Sequence, residues 1–281
     1  MNAREPQPRQ LGRRGSSVPC VGLGTWRRFD LPADRQHLAD EVVAAAFASG
    51  VRVFDTASVY GRSEEALATA LGDRRSEAFV ATKIWAEDGA EGRAQFDGQL
   101  RRFGGRLDLI QVHNLIGWRT HLPWLAERRE AGDVGLVGIT YRRDGHMPGS
   151  GTRDDLVAAM RSGMVDVIQV PVNPLEHNVI AEVLPLAAEL GLGVLAMRPF
   201  AEGELLSGPS PDEIAATGCR TWPEALLRWT LSTPHVTAAL PATGSATHVA
   251  ANAAAGTAPP LTPDQRALIH RLAHHHTPGA P

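Results

Sequence analysis

The sequence predicts an α/β fold, a single (β/α)₈ TIM barrel, on three observations. Eight short apolar runs alternate with longer amphipathic ones along the chain. The runs are continuous rather than alternating, as in Val165-Asp-Val-Ile-Gln-Val, which is the pattern of parallel strands covered on both faces. The length, 281 residues, suits one such barrel, and the connections are too short for a second domain. A doubly wound open sheet is the alternative, but its phosphate-binding signal is missing. Gly22-Leu-Gly24 is followed by Thr25, Trp26 and Arg27, so G-x-G-x-x-G fails. The one lysine, Lys83, follows Thr82, so there is no G-x-x-x-x-G-K either.

The elements follow in order. Leu11 to Pro19, with Gly12, Gly15 and Ser16-Ser17 between apolar positions, reads as a small hairpin. Cys20 to Thr25 is the first barrel strand. Asp34 to Ser49 places Leu38, Val42, Val43, Ala46 and Phe47 at helical spacing, and Gly50 stops the helix. Strand and helix then alternate: 51–55 with 63–71, 78–84 with 94–103, 107–113 with 122–129, and 134–140 with 154–160. The series continues with 165–172 and 180–190, 193–197 and 222–231, and 238–241 and 246–254. A last helix runs from Pro263 to Ala273. Residues 145–152 read as a flexible loop, and 1–8 and 274–281 as flexible tails of one domain spanning 1–281.

Composition excludes several function classes. With 43% hydrophobic and 21% charged residues the chain is globular, and a net charge of −3 gives no electrostatic case for nucleic acid. No apolar run reaches the roughly 18 residues of a membrane span, and the charged, Pro-rich N-terminus is no secretory signal. Two cysteines, Cys20 and Cys219, make no disulfide framework, so a reducing, cytoplasmic setting is expected. The sequence gives no indication of oligomeric state.

In a barrel, chemistry sits at the C-terminal ends of the strands. There the sequence puts Asp55, Lys83, His113, Gln169 and Arg198, with Tyr60 in the loop after the second strand. Each alone has an ordinary structural role open to it: Asp55 a turn cap, Tyr60 a packing aromatic, His113 a core histidine. Together, four ionisable groups converge on one mouth. Lys83 stands out because every other cation among the 28 Lys and Arg residues is arginine. Arginine holds its proton and has a different hydrogen-bonding shape. An ammonium beside a phenol lowers the phenol's pKa, a carboxylate holds the ammonium charged, and an imidazole orients a carbonyl oxygen. The result is a general acid aimed at a developing alkoxide.

The chain resembles the aldo-keto reductase family over about residues 11–255. The motifs are Leu11-Gly-Arg-Arg-Gly, Val21-Gly-Leu-Gly-Thr-Trp26, Phe54-Asp-Thr-Ala-Ser-Val-Tyr60-Gly, Ser63-Glu-Glu, Ala81-Thr-Lys83, Leu109-Ile-Gln-Val-His113, Val137-Gly-Ile and Val167-Ile-Gln-Val-Pro-Val-Asn173. The resemblance implies a barrel closed at its base by the hairpin, a small-molecule carbonyl substrate, and a nicotinamide cofactor bound without a Rossmann domain. It makes Tyr60 the proton donor, Lys83 its pKa-lowering partner, Asp55 the anchor of the lysine and His113 the carbonyl-orienting residue.

The cofactor residues it implies are Gly24, Thr25, Trp26, Thr140, Gln169, Met197, Arg198, Pro199, Phe200, Thr243, Ser245, His248 and Asn252. Several depart from the family pattern. Thr140-Tyr141 stands where Ser-Asn is usual, and Met197 where an aromatic commonly stacks. Ala242 and His248 replace the usual Lys and Arg of the 2′-phosphate segment. NADP is the expected cofactor, with NAD the alternative. Trp26, Trp85 and Trp118 follow strands and are candidates for the substrate wall. No metal site is expected: His274-His-His276 has no cysteine or carboxylate at ligand spacing after it. Two other functions stay open, a nicotinamide-binding sensor or partner subunit with little turnover, and redox-neutral acid–base chemistry on the same residues.

Overall fold

A computed structural model describes residues 5–143 and 147–277. The hairpin pairs β1 (Pro8–Gln10) antiparallel with β2 (Ser17–Pro19). β2 occupies the end of the expected Leu11–Pro19 segment and β1 precedes it, because Leu11 to Ser16 forms the turn. The barrel strands are β3 (Leu23–Gly24), β4 (Val53–Asp55), β5 (Phe79–Ile84), β6 (Leu107–Val112), β7 (Val134–Thr140), β8 (Val167–Pro171), β9 (Gly193–Met197) and β10 (Ala238–Leu240). All pair parallel in sequence order. Parallel bridges Val21↔Ala239 and Gly24↔Ala242 bring the last strand back to the first. The chain is therefore a (β/α)₈ barrel, as the alternation implies.

The helices are α1 (Gln36–Ala48), α2 (Ser63–Leu71), α3 (Gly89–Arg102), α4 (Trp118–Glu130), α5 (Arg153–Arg161), α6 (Val183–Leu190), α7 (Pro211–Ala216), α8 (Trp222–Leu231), α9 (Ala246–Ala255) and α10 (Pro263–His276). Of those that differ from the expected bounds, three do so for plain local reasons. α3 starts five residues before Ala94 because the Asp88 carboxylate caps it, accepting from the amides of Ala90 and Glu91. α7, capped by a Ser210–Glu213 box, escapes sequence reading because six residues are too short for periodicity. α10 continues through His276, so 274–276 are helical and not tail. Of the loop expected at 145–152, residues 145 and 146 lie outside the described residues. From Met147 it turns into the Thr152 cap of α5. No helix among the described residues is long and apolar enough to cross a membrane.

Strand period fixes what the barrel interior contains. Val53, Ala81, Leu109, Leu136, Val167, Leu195 and Ala238 form one buried apolar cluster with Leu11 and Val18 of the hairpin. This is the floor. Leu11 seals it: a Cβ on Gly193 would stand 2.6 Å from Leu11 Cδ1. The hairpin turns there on Gly12, whose φ of +68° and close approach to Gly193 N suit only glycine. Two residues further along the strands, on the same interior face, come Asp55, Lys83, Gln111 and Gln169. Thr140 lies four beyond Leu136, with Gly138 between. An apolar lower layer thus carries a polar upper one.

Candidate active site

The upper layer is one hydrogen-bonded network centred on Asp55. Lys83 Nζ donates to both Asp55 oxygens at 2.8 and 2.7 Å, and to the Thr56 carbonyl at 2.7 Å. All three ammonium protons are thereby used. The two side chains are deeply buried, with Lys83 1% and Asp55 5% exposed. Gln169 Nε2 donates to Asp55 Oδ2 at 3.2 Å. Gln111 Nε2 lies 3.5 Å from Asp55 Oδ1 and donates to Gln169 Oε1 at 3.0 Å. Burying these charges is tolerable only because each has partners on every side.

Behind the network Gln99 of α3 donates to the Lys83 carbonyl at 2.9 Å and to Glu64 at 2.9 Å. Glu64 also accepts from Thr82 and from Arg102 at 3.1 Å, while burial pushes its carboxyl above the usual range. Gln95 of α3 holds Trp85, accepting from its amide at 2.9 Å and donating to its carbonyl at 2.7 Å. It also accepts from Ser58 in the Tyr60 loop at 3.1 Å. α3 therefore fixes both Trp85 and the loop that carries the phenol.

Tyr60, half-buried, lies edge-on to His113 with ring centroids 5.9 Å apart. Trp85 meets His113 edge-on at 4.8 Å. Lys83 Nζ is 5.2 Å from the Tyr60 ring centroid. In this geometry the phenol's pKa moves opposite to the expected lowering. Burial raises it well above its usual value, and the Asp55 charge raises it further. The ammonium's protons go to Asp55 and Thr56, so its charge is spent balancing the carboxylate. Burial in turn lowers the Lys83 pKa, against the pull of Asp55.

These side chains open on a cleft of about 460 Å³. Its lining includes Gly24, Trp26, Asp55, Tyr60, Trp85, His113, Gln169, Met197, Arg198, Pro199 and Phe200. Other sequence candidates stand outside that wall. Trp118 opens α4, buried, with its indole N–H on Asp155 at 3.2 Å. Thr25 is fully buried. Thr140 accepts from the Asn114 amide at 2.8 Å, and it is Asn114 that reaches the cleft. Ser245 caps α9, accepting from the His248 amide at 3.4 Å; His248 is exposed, Thr243 precedes the helix start, and Asn252 lies in the second half of the helix. Arg198, in the left-handed region at φ +58°, is held by Glu176 at 2.7 Å and by Glu202, which also pairs with Arg142 at 3.2 Å.

Residues missed by sequence reasoning are Gln111, Asn114, Arg27, Arg28 and Arg142. Gln111 had a usable signal, since it stands two past Leu109 as Asp55 stands two past Val53. Arg27 stacks on Trp26 at 4.2 Å. Arg28 lines the cleft, and a Cβ built on Gly244 would stand 3.9 Å from the Arg28 Cβ.

A polar layer on an apolar barrel floor, facing an arginine-rimmed cleft, defines a barrel with a polar site at its mouth. Comparison with known proteins gives the family. The profile of the aldo/keto reductase family matches residues 20–274. An aldo-keto reductase of Mycobacterium sp. (strain KMS) is 31% identical over 225 residues, 76% of each chain. An aldo-keto reductase from Klebsiella pneumoniae, solved in complex with NADPH, superposes with a TM-score of 0.78 at 23% identity over 97% of both chains. The glycerol dehydrogenase of Gluconobacter oxydans superposes with a TM-score of 0.80 at 18% identity, over 97% of this chain and 96% of that one. The chain belongs to the aldo/keto reductase family, and is thereby an NAD(P)H-dependent oxidoreductase.

Proposed function

We propose that this protein reduces an aldehyde or ketone to the alcohol with a nicotinamide dinucleotide, NADPH ahead of NADH, and that Tyr60 gives the proton. The observation that carries the reading is the convergence of Asp55, Lys83, Tyr60 and His113 at one cleft.

The cleft's donor set fits the cofactor. Gln169 offers an amide beside the reacting groups, and Met197 and Phe200 offer apolar walls. Arg27 and Arg28 rim the cleft without an ion pair among the described residues. Arg28 lies beside the segment where Ala242 and His248 replace the usual Lys and Arg, and the start of α9 adds N–H groups that favour a phosphate. When bound, the nicotinamide supplies the hydride. The chain's own residues do the rest. His113 and Tyr60 flank the carbonyl oxygen, and Tyr60 transfers its hydroxyl proton to the alkoxide as charge develops. Because burial raises its pKa, the phenol is loaded with its proton at any ordinary pH. Lys83 offsets Asp55, whose charge would otherwise oppose the phenolate left behind. Trp26 and Trp85 wall the carbonyl substrate.

A second reading, a nicotinamide-binding barrel with little turnover, draws support from Thr140, whose hydroxyl is engaged by Asn114 rather than turned to the cleft. One experiment separates the two: steady-state assay of a broad panel of aldehydes and ketones with NADPH and with NADH. Robust reduction of any substrate supports the reductase. Tight cofactor binding with no turnover across the panel overturns it.

A further inference from the structure

Far along the sequence from the catalytic set, three imidazoles meet. His270 and His274 stand four apart on α10, which puts them on one face of the helix. His177 comes to them from the loop after β8. One ring nitrogen from each of the three lies within 4.8 Å of the others. The rings of His177 and His270 stand 5.1 Å apart, and those of His270 and His274 4.5 Å. The triple-histidine run of the sequence is not the cluster: α10 turns His274 to His270, while His276 faces Glu213 at 3.4 Å.

Two details make this more than a stack of rings. His177 Nδ1 is buried and has no hydrogen-bond partner among the described residues. A buried ring nitrogen without a partner costs free energy unless something coordinates it. His274 Nε2 lies 3.1 Å from the Pro174 carbonyl. A carbonyl only accepts, so Nε2 carries the hydrogen and Nδ1 keeps its lone pair. A ligating histidine whose other nitrogen donates to a carbonyl is the usual arrangement at metal sites.

We propose that His177, His270 and His274 form a binding site for a divalent transition metal, zinc foremost. Three neutral imidazoles suit zinc, copper or nickel rather than magnesium or calcium. Zinc–nitrogen bonds of about 2.0–2.1 Å in a tetrahedron need nitrogens about 3.4 Å apart, so the rings close by little more than about 1 Å. His274, exposed, has the freedom to do so. Water fills the fourth position. The metal staples the C-terminal helix to the loop 173–177. That loop's Glu176 holds Arg198 at the cleft wall, so the staple steadies one side of the cleft.

The test is calorimetric titration of the full chain, stripped by chelator, with Zn²⁺, beside the His274→Ala, His270→Asn and His177→Ala variants. His275→Ala and His276→Ala serve as references. The expected result is one saturable site in the wild type and a rise in Tm on loading, since a ligand bound only by the folded state stabilises it. Each cluster variant binds at least about tenfold more weakly, a floor set by what loss of even an outer partner costs a metal site. The two references bind normally. His274 is exposed, so its variant folds whatever the others do, and Tm without metal checks each. Absence of saturable binding in the wild type overturns the proposal. So does unchanged affinity in the folded His274→Ala chain, or loss of binding in His275→Ala or His276→Ala instead.

Discussion

Lys83 and Tyr60 divide their labour differently from what residue types alone suggest. The ammonium gives all three protons to Asp55 and Thr56, so it anchors the layer, and the phenol beside it is pushed up rather than down. A raised phenol stays protonated beyond its ordinary pKa of about 10. The chain has only two tyrosines, which makes the point measurable. Ultraviolet difference titration against Tyr60→Phe is expected to show no phenolate from Tyr60 until the pH exceeds about 10. A phenolate signal near neutrality that vanishes in the variant contradicts this. The Asp55–Lys83 pair also bears on stability. Asp55→Asn strands a buried ammonium without its counter-ion and is expected to cost about 3–5 kcal/mol, read from urea unfolding at neutral pH. At the cleft rim, Arg28→Ala is expected to weaken NADPH binding by about tenfold or more while sparing NADH, as loss of one hydrogen bond to a charged group would. Titration by tryptophan fluorescence checks it, and equal losses for both cofactors refute the role.

At the scale of elements, the loop entering α5 is a charged device. Asp155 closes a capping box with Thr152, accepts from the Trp118 indole and pairs with Arg119 at 2.9 Å. Hydrogen bonds from Thr152 lead in holding its carboxyl down at about 2. A pKa lowered by folding stabilises the fold above the unfolded value and loses that stability as pH falls through the folded one. The acid limb of stability between about pH 4 and 2 is thus expected to flatten in Asp155→Asn. Thermal melts across that range decide it.

The same scale shows what the sequence reveals. Strand cores and the helices 63–71 and 222–231 are legible because the apolar period is clear, with Gly72 also stopping the first of the two helices. Helix starts set by a polar cap, as at Asp88, are not, since a cap looks like any loop aspartate. Asp55, Lys83 and His113 are legible because strand ends are where a barrel works. Asn114, Arg28 and the His177–His270–His274 cluster are not. Their neighbours come from elements up to 216 residues away, a relation that no local pattern records.

For the whole molecule, one chain is built as a stack: hairpin plug, apolar floor, polar layer, cleft. Leu11 and Val18 close the base so that Val53, Ala81 and Leu109 stay dry beneath Asp55, Lys83 and Gln111. That dryness keeps the proton on Tyr60 and the charge on Lys83 balanced. The barrel thus keeps the phenol protonated until a base as strong as a developing alkoxide takes its proton. The central claim is that Tyr60 supplies the proton. It is tested most directly by measuring kcat and NADPH affinity together in Tyr60→Phe, on a carbonyl substrate from the panel. The account predicts kcat lower by about 10²–10⁴-fold, the range of general acid catalysis, with NADPH Kd nearly unchanged. Wild-type kcat in the folded, cofactor-binding variant would contradict it.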